Sequence, residues 1–354
     1  MLRSILVSVF LGTLILSCSS TYSVDSNTNG KSSIFTDVKE NRIPVRLANK
    51  TTGEFGDSKL VVVKNEVYVV ATLSRTLSLK KFDDSETLFS STSPEISSDW
   101  IGVMEDDNSI LCVTASFKDQ SLRLYRINTQ SLNVEFLTTI ITKERLLIDP
   151  LIIKVENEYF ITFTQIDGNI NNGNELKQNG HYEVVLMKSN DLINWDTIST
   201  IVSENANIED GSLLFDKEKK SLFFMYEEEV FDKKKSIVKI RKSIDMGQTW
   251  KDPIPLLDGP DDKEPAAIFK YYNNYYIFYS SDLDDIGSSY YGAKGYMSAF
   301  DVFNLKPIFI NANIYLDKGI VLYDVILNDK NLFFLAKKMI TDYEGVLMQY
   351  KFPN

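Results

Sequence analysis

Six acidic residues recur along the chain at the head of short apolar runs: Asp57, Asp99, Asp149, Asp210, Glu264 and Asp324. Carboxyl groups do acid and base work near neutral pH once their pKa values are moved apart, and crowded like charges raise one another's pKa. A group so raised keeps a proton to give to a leaving oxygen, the task of the acid in glycosidic cleavage. A second carboxylate about 5 to 5.5 Å away suits a retaining reaction, and one about 6.5 to 9.5 Å away an inverting one. At any one position, an acid ahead of a strand also serves as a turn residue that bonds its own backbone. As a set, with Asp149-Pro150 and Glu264-Pro265 repeating an acid–proline pair, they read as a functional funnel. Asp57, Trp100 and Glu209 join them as candidate substrate-binding residues. Other chemistry is excluded. One histidine, His181, rules out a multi-histidine zinc site, and two cysteines rule out a disulfide scaffold. Cys112 lies in an apolar run and reads as a core thiol.

These acids meet only if the chain returns each of them to a common axis. Each leads an apolar run, a polar turn and a second apolar or aromatic run: 60–63 with 67–70, 100–103 with 110–113, 151–153 with 159–161, 213–215 with 222–225, 266–269 with 275–279, and 325–327 with 332–334. Short β-branched and aromatic runs joined by Asn, Asp and Lys turns are hairpin signals. The acids stand 42, 50, 61, 54 and 60 residues apart, the spacing of four-stranded propeller blades with loops in the longer intervals. The sequence therefore predicts an all-β chain: a six-bladed β-propeller over residues 39–354, with five blades as the alternative if the first unit is not a blade. Residues 43–47 are expected to complete the last blade from the N-terminal side, which removes free sheet edges.

Two turns carry a family resemblance. Ser243-Ile244-Asp245-Met246-Gly247-Gln248-Thr249-Trp250 matches the Asp-box of sialidase-type propellers, S-x-D-x-G-x-T-W, at every defined position. Ser189-Asn190-Asp191-Leu192-Ile193-Asn194-Trp195 resembles the related turn of sialidases and of arabinanase- and invertase-like hydrolases. The resemblance covers most of residues 39–352 and implies a structural role for Ser243, Asp245, Gly247, Thr249 and Trp250. Within the sialidase superfamily it implies that Glu264 polarises a nucleophilic tyrosine, Tyr323, with Asp83 or Asp84 as acid/base. Sialidases also hold their substrate carboxylate with three arginines, whose planar forks match it. Here no arginine follows Arg241, Ser280 stands where one is expected, and Arg42-Ile43-Pro44 precedes the first inner strand, so true sialidase hydrolysis is not expected. The chain is also similar to the arabinanase and invertase clans. That likeness implies Glu264 as acid, Asp210 as transition-state stabiliser and Asp149 or Asp99 as base or nucleophile.

The start of the chain reads as an address. Arg3 is followed by an apolar stretch over residues 5–16, too short to span a bilayer and suited to a signal-peptide core. Leu14-Ile15-Leu16-Ser17-Cys18 resembles the bacterial lipobox, which implies removal of residues 1–17 and lipidation of Cys18. Residues 18–38 read as a flexible tether, and Ser19 favours the outer membrane or cell surface of a bacterial envelope. A net charge of −11 argues against nucleic acid or an anionic membrane as the main partner. The expected partner is a glycan or glycoconjugate, with membrane contact through the lipid anchor only and a monomeric chain. No cofactor or metal is required by any ligand spacing, although the oxygen ligands of the axial acids suit calcium. Tyr271, Tyr272, Tyr290, Tyr291 and Tyr296 flank the fifth unit and offer faces for sugar stacking or for core packing. The leading reading is a surface lipoprotein whose propeller hydrolyses or recognises extracellular glycans. The alternatives are a non-catalytic glycan- or protein-binding propeller and an envelope scaffold.

Overall fold

A computed structural model describes residues 42–43, 46–54, 57–73, 76–82, 87–92, 99–116, 119–142, 145–167, 180–230, 233–314, 317–329, 331–339 and 344–351. The segments expected as signal peptide and tether, with Cys18, and also Asp83, Asp84 and residues 168–179 lie outside the described residues. Six sheets follow one another around an axis. Blade 1 holds strands Ser58–Val63, Glu66–Leu73, Thr76–Lys81 and Thr87–Thr92, and blade 2 holds Trp100–Asp106, Ser109–Ser116, Ser121–Asn128 and Val134–Thr142. Blade 3 comprises Leu146–Val155, Glu158–Asp167, His181–Ser189 and Asp196–Glu204; blade 4 comprises Asn207–Asp216, Ser221–Val230, Lys235–Ser243 and Ile254–Leu257. Blade 5 contains Lys263–Tyr271, Asn274–Ser281, Lys294–Asp301 and Pro307–Ile314, and blade 6 contains Ile320–Asn328, Asn331–Lys338 and Glu344–Lys351. The first strand of each blade is innermost and touches the first strand of the next, from blade 6 back to blade 1. The chain is a six-bladed, all-β propeller.

The repeat seen in the sequence is the inner half of each blade. Second strands are sandwiched between neighbouring blades, so they bury both faces and lose the alternation of a half-exposed strand. Ser109–Ser116 is buried at all eight positions. Separate apolar clusters fill the gaps between successive blades. Cys112, Ile101 and Val70, each at 0% exposure, belong to the cluster between blades 1 and 2; Phe278 and Phe334 belong to that between blades 5 and 6. Burial pushes the Cys112 thiol well above its ordinary pKa, so it is an inert core group.

The ring closes through the N-terminal segment, but one strand further on than expected. Arg46–Glu54 pairs antiparallel with Glu344–Lys351 and forms the outermost strand of blade 6. Arg42–Ile43 pairs instead in parallel with Pro307–Ile314, at the outer edge of blade 5. Pro44 has no amide hydrogen to give to a ladder and falls in sequence between the two strands. One segment thus clasps two blades.

The Ser243–Trp250 and Ser189–Trp195 turns occupy equivalent places, between the third and fourth strands of blades 4 and 3. Asp245 accepts from the Thr249 amide at 2.9 Å and its hydroxyl at 2.5 Å, and Ser243 Oγ accepts from the Gly247 amide at 2.8 Å. Those bonds, led by the Thr249 hydroxyl, hold the Asp245 carboxyl down at about 2. Gly247 takes φ +86°, where a side chain would be strained and would collide with Leu186. Asp191 accepts from the Ile193 and Asn194 amides at 2.9 and 2.8 Å in the same manner.

The inner strands of blades 3 to 6 each carry a β-bulge near their start, between Ile148 and Leu151, Glu209 and Ser212, Pro265 and Ala267, and Leu322 and Asp324. A bulge adds a residue and re-aims the side chains beside it. Two of the bulge residues, Asp149 and Asp210, adopt left-handed backbone at φ 49° and 48°. The bulge at Pro150 presses on blade 2 so closely that a Cβ on Gly102 would lie 2.2 Å from the Pro150 carbonyl oxygen.

Candidate active site

The bulges gather the acids of blades 3, 4 and 5 at one end of the axis. Carboxylate oxygens of Asp210 and Glu264, from adjacent inner strands, and of Glu227, from the second strand of blade 4, lie within 4.8 Å of one another. Asp149 reaches the same place from blade 3, its Oδ2 accepting from the Asp210 amide at 3.2 Å. Glu209 and Glu229 complete the group, tied by the Asn207 side-chain amide at 3.5 and 3.2 Å. Downstream along the inner strands the axis changes character. There it opens on a cavity of about 460 Å³ lined by Leu60, Val62, Ile268, Val325 and Leu327, with Glu105 and Lys270.

Such crowding decides where protons sit. Burial, then the charges of Asp210 and Asp57, lift the Asp149 carboxyl to about 8. Glu264 is raised far above the ordinary range by burial, by the Asp210 charge and by a hydrogen bond with Asp210. Burial raises Asp210 as well, but the same bond and the Lys59 charge pull it back toward its ordinary range. Glu264 is therefore the protonated member of the pair and donates to the Asp210 carboxylate. Burial and competition with the neighbouring Glu264 carboxyl raise Glu227 in turn, while burial and Asp149 raise Glu209. Burial and Asp262 push Glu229 up to about 7. Lys59 supplies the positive charge: burial opposes its ionisation, but Asp57, Asp324, Asp210 and Asp149 outweigh it and keep the ammonium charged.

A rigid rim overhangs this end. The Asp282 carboxylate accepts the amides of Asp262, Gly287 and Ser289 at 2.8, 2.7 and 2.9 Å. The 3₁₀ turn Ser289–Tyr291 is thereby fixed above the axis, with Ser289 Oγ bonded to Asp262 at 2.8 Å. Tyr290, 40% exposed, has its phenol pKa raised by the axial acids, Glu264 first, and by burial. Tyr291 is 66% exposed at the same rim, whereas Tyr296 is 3% exposed in the core.

Three acids also stitch blade to blade. Asp324 accepts from the Leu60 amide at 2.7 Å, Asp57 from the Ile101 amide at 2.7 Å, and Asp149 from the Asp210 amide. Each bond runs from one inner strand to the next. From the second strand of blade 5, Ser280 Oγ likewise accepts the Leu322 amide of the blade 6 inner strand at 2.7 Å. Asp57 takes a second amide, that of Ser58, at 2.8 Å. Replacing Asp57 by Ala strips two amides of their acceptor, each costing about 1–3 kcal/mol when buried. The midpoint of urea unfolding is expected to fall accordingly, with Asp57→Asn, which keeps one carbonyl acceptor, falling less.

The remaining sequence candidates lie elsewhere. Asp99 is exposed, ahead of a blade 2 strand that pairs in regular register. Trp100 packs among the apolar clusters of blades 2 to 4. Tyr323 packs on the cluster between blades 6 and 1, with the Lys337 ammonium 5.4 Å from its ring centre. His181 bonds Asn205 and Ser203 at 2.9 and 3.0 Å at the edge of blade 3. Sequence reasoning missed Lys59 and Glu227. The signals were a lysine interrupting the first inner strand two residues after its acid, and the run 227–229 of glutamates closing an aromatic strand.

No family model matches the chain, and no curated protein matches its sequence. Solved structures do resemble it. An α-L-arabinofuranosidase from Fusarium graminearum bound to an iminosugar inhibitor superposes with a TM-score of 0.58 at 8% identity, over 87% of this chain and 96% of that one. The glycoside hydrolase family 93 α-L-arabinofuranosidase of Fusarium graminearum with arabinobiose gives 0.56 at 7% identity, over 86% and 98%. A family 43 endo-arabinanase from Bacillus licheniformis scores 0.45 at 11% identity, over 71% and 92%. At such identities the likeness is one of fold.

Proposed function

We propose that the chain is a glycoside hydrolase whose general acid is Glu264. The observation that carries this is the hydrogen-bonded Glu264–Asp210 pair, in which a buried carboxyl keeps its proton because a carboxylate stands against it. That arrangement is how an acid with a proton to give is made at neutral pH. Asp210 is bonded to the acid itself, which leaves no room for a sugar carbon between the two. Its role is to hold the proton on Glu264 and to offset positive charge developing on the ring. The base or nucleophile is then Asp149, on the neighbouring strand; with its carboxyl at about 8, turnover should rise as pH approaches 8 and Asp149 ionises, while Glu264 keeps its proton. Tyr290 offers a stacking face at the rim. The fold neighbours bound to an iminosugar and to arabinobiose make arabinosides the first substrates to try, and the lack of any arginine after Arg241 argues against sialosides. The lipobox-like Leu14–Cys18 run supports a lipid-anchored protein acting on glycans at the cell surface.

A second reading, a binding propeller without turnover, is favoured by one observation: Asp57, Asp149 and Asp324 already accept backbone amides of neighbouring blades. Chromogenic arabinosides, fructosides, mannosides and sialosides separate the two, with Glu264→Gln alongside. Turnover lost in the variant supports the hydrolase; saturable sugar binding with no turnover on any substrate sinks it.

A further inference from the structure

The lip of the funnel between blades 4 and 5 carries an open notch of about 500 Å³, lined by Lys233, Lys235, Asp258, Gly259 and Pro260. One wall is the turn after the second strand of blade 4, where Lys233 stands four residues beyond Glu229. The other is the loop that enters the inner strand of blade 5, where Gly259 stands five residues before Glu264. Ser236, 0% exposed, locks the walls together: its Oγ accepts from the Lys263 amide at 2.6 Å and donates to the Lys263 carbonyl at 2.7 Å.

The notch is cationic in a chain whose net charge is −11. Lys235 Nζ holds Asp258 at 3.0 Å, which leaves the exposed Lys233 without a counter-ion among the described residues. A third ammonium stands behind the wall. Lys263 is 3% exposed, and a Cβ on Gly259 would lie 3.3 Å from its Nζ. An ammonium has three hydrogens to give. Lys263 bonds the Asp261 carboxylate at 2.8 Å and the Asp261 carbonyl at 3.2 Å, and no other acceptor among the described residues.

We propose that this notch is a subsite for an oxyanion substituent, a carboxylate or a sulfate, on a glycan held in the funnel. Ammonium groups attract an oxyanion as point charges, without the planar fork that selects a carboxylate, so either substituent fits. By chain length Gly259 is at most about 18 Å from Glu264, so a glycan of a few units reaches both. The inference rests on the reading of the funnel as a glycan site and narrows its substrate class to acidic glycans.

The test is calorimetric titration of the full chain with three oligosaccharides of equal length: an oligogalacturonate, a sulfated galactan oligomer and a neutral galactan oligomer. An acidic oligomer should bind more tightly than the neutral one by about tenfold, as two exposed charge contacts allow, and the gap should close in high salt. Which acidic oligomer binds identifies the substituent. Lys233→Ala should weaken the acidic oligomer about fivefold and leave the neutral one unchanged. Asp258→Asn releases Lys235 from its carboxylate and should tighten the acidic oligomer, a gain that damage to the fold does not give. Lys251→Gln, at an exposed lysine beyond the Asp-box turn on the other end of blade 4, should change neither. Equal affinity for acidic and neutral oligomers, no effect of Lys233→Ala, an equal loss in Lys251→Gln, or no binding of any oligomer would each overturn the proposal. Any of these beside arabinoside turnover that Glu264→Gln abolishes keeps the hydrolase and removes the subsite. Acidic binding that follows Lys233 in a chain with no turnover keeps the subsite and removes the hydrolase.

Discussion

The protein is expected to be markedly less stable at pH 8.5 than at pH 5. Carboxylates that gain a partner on folding have depressed pKa values; their stabilisation is present above the unfolded value and is lost only as pH falls. Asp245 and Asp216 are of this kind and contribute a constant amount above pH 5. The axial acids run the other way. With folded values above the unfolded ones, the native chain binds more protons than the unfolded chain, and stability falls as pH rises between the two. Asp324 at about 6, Glu229 at about 7 and Asp149 at about 8 place that window between pH 4 and 8, with Glu264, Glu227 and Glu209 extending it upward. Lys59, raised above its ordinary value, contributes throughout this range and fades only in strong alkali. At about 1.4 kcal/mol per pH unit, Asp149 alone accounts for a loss on the order of 5 kcal/mol. Urea midpoints at pH 5, 7 and 8.5 measure the slope. Asp149→Asn keeps the acceptor for the Asp210 amide and suits left-handed backbone, so it should raise the midpoint at pH 8.5 and leave that at pH 5 almost unchanged. A flat profile, or one rising with pH, would mean that these groups are solvated.

A chain that holds so many acids where they weaken it at neutral pH is keeping them for something other than stability. The sequence made the ring legible only in part, because two kinds of information were needed. The repeated acid at the head of each inner strand and the period of the blades are local, and they brought Asp149, Asp210 and Glu264 forward correctly as neighbours on successive blades. The bulges are not local: nothing in the sequence at Asp99 announces that its strand pairs in regular register while those carrying Asp149 and Asp210 bulge. Tyr323 fails as an axial residue for a related reason. The bulge at its own position directs Asp324 to the next blade, and the tyrosine is left for the core between blades. Glu227 was hidden because it comes from a second strand, and becomes axial only by pairing opposite Glu209.

Glu264→Gln should reduce turnover of aryl glycosides with poor leaving groups by about 10²–10⁴-fold, the range for loss of a general acid. A nitrophenolate needs little help to depart, so substrates carrying one should lose far less. That split separates an acid from a residue that merely shapes the pocket, whose loss would affect all leaving groups alike. Asp210→Asn makes a different prediction, because Asp210 acts on the proton rather than on the sugar. Its charge and hydrogen bond hold Glu264 protonated. Without them, the pH at which Glu264 ionises falls, and the alkaline limb of kcat moves toward acid by a pH unit or more. Some activity should then be recovered by lowering the pH, which Glu264→Gln cannot do at any pH. If Asp210→Asn left the alkaline limb in place while lowering kcat uniformly, Asp210 would belong to the sugar ring and not to the acid. Another carboxylate of the ring, with Glu227 the nearest, would then have to be holding the proton on Glu264.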